Sequence, residues 1–124
     1  MGRRIVLIDD SPTTRAIARL VLAAAGYEPI ACADVWGGLR VLAEPPPPCA
    51  VVVDTYLPGS DTRVVIARIR ANAPGVPLIA VLEPGYSPEE ILELFEPASY
   101  LVKPYAPREL VDAVQDALRS SFTW

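Results

Sequence analysis

The sequence predicts an α/β fold: a doubly wound five-stranded parallel sheet, order 2-1-3-4-5, with five helices. Three observations predict it. Short apolar runs rich in β-branched residues alternate five times with segments of helical apolar spacing. The clearest runs lack the polar alternation of a one-sided strand, so both of their faces are buried, as in a parallel sheet. The 124 residues fit a single domain, residues 1–124, large enough for a core without metal or disulfide staples.

Residues 4–8, ended by Asp9-Asp10, form the first strand. Ser11 caps the first helix, and Pro12 takes the first helical position, where its missing N–H costs nothing. Ile17, Leu20, Val21 and Ala24 recur at helical spacing, and Gly26 stops the helix. Residues 28–32 form a weaker strand, and residues 35–43 a helix weakened by Gly37-Gly38. The prolines at 45–48 read as a rigid polyproline connector.

Residues 50–53, ended by Asp54, are the strongest strand signal in the chain. Asp61 caps a third helix marked by Val64, Val65, Ile66 and Ile69. Residues 77–82 form the fourth strand. Ser87-Pro88-Glu89-Glu90 opens the fourth helix with a capping box. Residues 98–102 form the fifth strand, and Pro107 starts the last helix, with Leu110, Val111, Val114 and Leu118 inward. Five β–α units in series suit the flavodoxin-like arrangement, with right-handed crossovers.

Composition removes several function classes. Acidic residues number 15 and basic residues 11, so the net charge is −4. Ten of the basic residues are arginine, Lys103 is the sole lysine, and histidine is absent. Histidine-dependent triads, His-ligated zinc and proximal-His haem are excluded. The acidic balance argues against tracking a nucleic-acid backbone. No apolar run approaches a membrane span, and the N-terminus does not read as a signal peptide. Cys32 and Cys49 have no metal or redox spacing and read as free thiols in a cytoplasmic protein.

Ligands of such sheets bind beyond the strand C-termini near the switch in strand order, here between strands 1 and 3. The sequence places Asp9, Asp10, Asp54, Glu83 and Lys103 at that edge. Taken singly, each aspartate could equally be a turn residue or a helix cap. Converging, they repel: at 4 Å and an effective dielectric of 20, each like-charge pair costs about 4 kcal/mol. A hard divalent cation, magnesium above all, is the natural compensation. Metal, lysine and a nucleophilic carboxylate make a site for phosphoryl transfer to an aspartate.

At these residues the chain resembles the receiver domains of bacterial two-component response regulators. The matching stretches are Ile8-Asp9-Asp10-Ser11, Val53-Asp54 with Leu57-Pro58-Gly59, and Tyr100-Leu101-Val102-Lys103-Pro104-Tyr105. They occur in the family's order, and the resemblance as a whole spans residues 4 to about 118. The resemblance implies a magnesium-dependent phosphoacceptor in a phosphorelay, self-phosphorylating and self-dephosphorylating rather than a conventional enzyme. It makes Asp54 the phosphoacceptor, taking the group from a phosphohistidine on a sensor histidine kinase or phosphotransfer protein. It gives Asp9, Asp10, Asp54 and the Tyr56 carbonyl to Mg2+, Lys103 to the phosphoryl group, and a cis peptide before Pro104. Tyr100 matches the aromatic that moves inward on activation. A homodimer through helix 4, strand 5 and helix 5 is a possible assembly, with no direct nucleic-acid or membrane contact. The chain ends just past the fifth helix, as a stand-alone regulator or as a receiver cut from a larger protein.

The chain departs from the family pattern at strand 4. Leu82 stands where Ser or Thr contacts the phosphoryl group, and Glu83 where a small residue leaves room for it. Thr62 replaces a common glycine. A hydrogen bond to a charged group is worth about 1.5–3 kcal/mol, as much as a whole allosteric coupling. The expectation is therefore a receiver with altered switch coupling between Leu82 and Tyr100. The alternative is a pseudo-receiver, acting as a phosphorylation-independent protein-interaction module. A flavin-binding reading fails, because Asp9-Asp10 would repel a flavin phosphate.

Overall fold

The computed structural model describes residues 3–56, 61–85 and 88–120. Strands and helices alternate throughout: β1 (Arg3–Ile8), α1 (Pro12–Ala24), β2 (Tyr27–Cys32), α2 (Val35–Leu42), β3 (Ala50–Asp54), α3 (Thr62–Asn72), β4 (Leu78–Leu82), α4 (Pro88–Phe95), β5 (Ser99–Val102) and α5 (Pro107–Ser120). The sheet is wholly parallel in the order β2-β1-β3-β4-β5, as expected.

Two apolar layers enclose the sheet, and strand alternation decides which residue feeds which. Val6 and Ile8 of β1, Val51 and Val53 of β3, and Leu78, Ala80 and Leu82 of β4 join Val65, Ile66 and Ile69 of α3 and Phe95 of α4. Ile5 and Leu7, Ala50 and Val52, Ile79 and Val81, and Leu101 face the other way, onto Ala18 and Leu22 of α1 and Leu110, Val114 and Leu118 of α5. All five residues of β3 and of β4 are buried, which explains the unbroken apolar runs of residues 50–53 and 78–82 and leaves Asp54 as the buried charge that ends β3.

The caps follow local chemistry. The Ser11 hydroxyl accepts from Thr14 N at 3.2 Å, and the Asp61 carboxylate from Arg63 N at 3.0 Å. Asp34 caps α2 by accepting from Gly37 N at 2.7 Å. Gly26 ends α1 at φ 95°, a conformation that suits glycine. Gly38 serves packing: a Cβ there would collide with Ile8 Cδ1, so glycine lets α2 close on β1 without Ile8 shifting.

Some expectations change. Ile17 and Leu20 do not form the inner face of α1; they are exposed, and Ala18 and Leu22 are buried instead. Residues 18 and 22 lie one turn apart on the sheet side, which leaves Leu20 on the opposite side. In α5, Ala113 and Ala117 join the inward set while Val111 is only half-buried. Val64 of α3 is exposed. The Pro45–Pro46 peptide is cis. The capping box expected around Ser87, and the Leu57-Pro58-Gly59 stretch, lie outside the described residues.

Candidate functional site at the C-terminal edge of the sheet

Asp9, Asp54, Glu83 and Lys103 continue one side of the sheet's alternation. Each lies two residues beyond a residue of the layer under α1 and α5: Leu7, Val52, Val81 and Leu101. Backbone bonds extend the ladder past the strand ends: Asp9 N to Cys32 O at 3.1 Å, Thr55 N to Val81 O at 3.0 Å, and Lys103 N to Leu82 O at 2.9 Å. The four side chains therefore meet at the edge where β1 and β3 lie side by side.

Lys103 is the hub. Its Nζ lies 2.7 Å from Asp54 Oδ2, 3.2 Å from Glu83 Oε1 and 3.8 Å from Asp9 Oδ2. Asp9 and Asp54 are both 1% exposed, the buried charged residues among those described. Asp54 Oδ1 accepts from Tyr56 N at 3.0 Å, and Asp9 Oδ1 from Ser11 N at 2.9 Å. Arg15 donates to the Asp9 carbonyl at 2.9 Å, tying α1 to the site. The Lys103–Pro104 peptide is cis.

Negative charge is in excess here, and it has one consistent effect. Burial raises the Asp54 pKa, and the charge of Asp9 adds to it, against the lowering pull of Lys103 and the Tyr56 N–H. Burial alone would lower the Lys103 pKa, but its bonds to Asp54 and Glu83 and the charge of Asp9 raise it instead. Burial, reinforced by Asp9, likewise raises the Tyr105 phenol.

Asp9, Asp10 and Asp54 bring carboxylate oxygens within 4.8 Å of one another, with Asp10 exposed and the other two buried. Asp9 Oδ2 is buried with no hydrogen-bond partner. An orphaned buried carboxylate oxygen among hard oxygen donors fits a divalent cation.

The remaining predicted residues stand apart. Leu82 belongs to the opposite parity, is 1% exposed, and packs in the layer with Val53, Ile66 and Phe95 rather than facing Lys103. Tyr100 is 42% exposed at the β5 edge, and the Tyr56 side chain is also exposed. Three contributors were not assigned to the site from the sequence. Tyr105 buries its hydroxyl without a partner. Thr55 donates to Val81 O at 2.8 Å, and Thr62 to Thr55 O at 2.7 Å, linking the start of α3 to the residue after Asp54. Counting by twos along β5 could have found Tyr105, after Leu101 and Lys103; nothing in the sequence marks the threonines.

No family model matches the chain. Known relatives do. The DNA-binding response regulator MtrA of Mycolicibacterium smegmatis is 31% identical over 120 residues, covering 96% of this chain and 52% of the relative. A response regulator receiver domain protein from Clostridium thermocellum superposes with a TM-score of 0.83 at 24% identity, over 95% of each chain. The chemotaxis protein CheY4 of Vibrio cholerae superposes with a TM-score of 0.84 at 22% identity, over 95% of this chain and 100% of its own. The chain has the fold of response regulator receiver domains and is similar in sequence to response regulators. It spans about half the length of the curated relatives it matches. None of its described helices is long and apolar enough to cross a membrane.

Proposed function

We propose that this receiver accepts a phosphoryl group on Asp54 from a phosphohistidine of a sensor histidine kinase or phosphotransfer protein. One observation carries the reading: a buried carboxylate, Asp54, bonded at 2.7 Å to the sole lysine inside a cluster of carboxylates. A carboxylate oxygen of Asp54 forms the new bond to phosphorus. The P–N bond of the donor breaks, and the departing imidazole nitrogen keeps the electron pair and takes up a proton. Lys103 supplies a positive charge for the phosphoryl oxygens, and the Tyr56 N–H orients the acceptor. Mg2+, held by Asp9, Asp10, Asp54 and the Tyr56 carbonyl, would neutralise the negative charge gathered there. Asp9 is fixed for that role by its Ser11 bond.

Altered switching is part of the proposal. Leu82 sits in the apolar layer and has no hydroxyl to offer, and Tyr100 lies exposed. Leu92, Tyr100 and Val102, exposed on α4 and β5, are the apolar surface for a partner or a second copy. The reading places the domain in the cytoplasm and involves no direct nucleic-acid contact, in keeping with a net charge of −4. DNA binding, in the name of the mycobacterial relative, describes that protein. The pseudo-receiver reading is favoured by the Glu83–Lys103 pair alone, which sets a carboxylate where a phosphoryl oxygen would bind.

Mass spectrometry after incubation with a small phosphodonor and magnesium tests the proposal. One acid-labile phosphoryl group is expected on the wild type and none on Asp54→Asn. A wild type left unmodified by small donors and by a phosphohistidine protein alike would sink it.

A further inference from the structure

We propose that Glu83 gates the phosphoryl pocket, holding Lys103 through its carboxylate until an incoming phosphoryl group displaces it. The inference rests on the reading of Asp54 as acceptor and adds what controls entry to it.

The geometry supplies the argument. A lysine ammonium has three N–H donors. Asp54 at 2.7 Å and Glu83 at 3.2 Å lie close enough to hold it, while Asp9 at 3.8 Å is an ion-pair neighbour only. A phosphoryl oxygen reaching Lys103 therefore competes with Asp54 and Glu83 for the ammonium, and the more loosely held carboxylate gives way. Asp9 and Asp54 have side chains 1% and 0% exposed and are held by backbone N–H groups of Ser11 and Tyr56. Glu83 is 30% exposed, and it sits on a longer side chain where β4 gives way to the Pro84-Gly85 turn. Of the three it is the one with solvent to move into. Its carboxylate also repels an arriving phosphoryl dianion before any exchange takes place.

Such a gate has a functional direction. A free small donor must displace Glu83 using only its own contacts in the pocket. A donor protein docked on the receiver surface brings binding energy from elsewhere and can apply it to the same exchange. Glu83 thus favours phosphoryl groups delivered by a docked partner over small molecules of the cell.

The test uses phosphoramidate and magnesium, whose P–N bond breaks as that of phosphohistidine does. Adduct formation on Asp54 is followed by mass spectrometry across donor concentrations for wild type, Glu83→Gln and Glu83→Ala. Gln keeps the volume and removes the charge; Ala removes both. Far-UV circular dichroism and thermal melts confirm that both variants fold. Both variants are expected to lower the half-saturating donor concentration by about fivefold, with little change in the maximal rate. An adduct appearing only in the two variants would also support the gate. Equal curves for all three proteins would overturn it and leave the acceptor reading standing. Acceleration by Ala alone would overturn it in favour of simple bulk. No adduct on any of the three would overturn the gate, and none from a phosphohistidine protein either would overturn the acceptor reading with it.

Discussion

Asp54 combines two properties that rarely coincide: it is almost wholly buried and ionisable, and its cationic partner is shared with two other acids. Burial raises its pKa above the unfolded value. The folded chain then holds this proton more tightly than the unfolded chain does, so the ionised form costs stability at neutral pH. That cost is relieved as pH falls through the raised Asp54 value. Asn mimics the protonated side chain at every pH. Urea unfolding across pH is therefore expected to show Asp54→Asn more stable than wild type at neutral pH, with the gap closing on acidification. A less stable Asn variant at neutral pH would contradict this account. Lys103 differs in kind: its pKa is raised too, so the stability it lends is present throughout the neutral range and is lost only far into alkali.

Among the elements, α2 is the one whose place depends most on a single missing atom. Gly38→Ala would drive a methyl group into Ile8 Cδ1, and overpacking of this kind costs about 1–3 kcal/mol. Ile8→Val removes that Cδ1 atom. A double-mutant cycle by chemical denaturation should show Gly38→Ala costing less in the Ile8→Val background; strict additivity would argue against the contact. The sequence made α2 legible as a weak helix but gave no hint that Gly38 improves its packing, because the partner atom lies on a strand thirty residues earlier. Elsewhere the local signals were sufficient. Ser11, Asp61 and Gly26 cap or stop helices through bonds and dihedrals that their own chemistry favours. The apolar stripe of α1 misled, since Ile17 and Leu20 are apolar without being buried, and periodicity cannot tell an unpartnered apolar face from a core face. The candidate site was legible as a list of acids at strand ends. What the list lacked was parity, which separates Glu83 from Leu82 although the two are adjacent in the chain.

Across the whole molecule the acidic edge is a point of stored repulsion, and the fold tolerates it because two apolar layers surround a fully paired sheet. A cation that binds only the folded chain must then stabilise the entire domain. Magnesium at about 100 times its dissociation constant is expected to add about 2.7 kcal/mol. The increase should appear as a higher midpoint in thermal or urea unfolding. Asp10→Asn, at an exposed position, should remove most of the increase while leaving metal-free stability nearly unchanged. An equal magnesium response in wild type and variant would mean that the ion acts elsewhere. Finally, a chain with one lysine carries its own label site. Growth on lysine enriched in carbon-13 at its ε-carbon would mark Lys103 alone. Its single ε-methylene resonance would turn the hub of the pocket into an NMR reporter, showing directly when metal enters, when Glu83 lets go and when the acceptor is occupied.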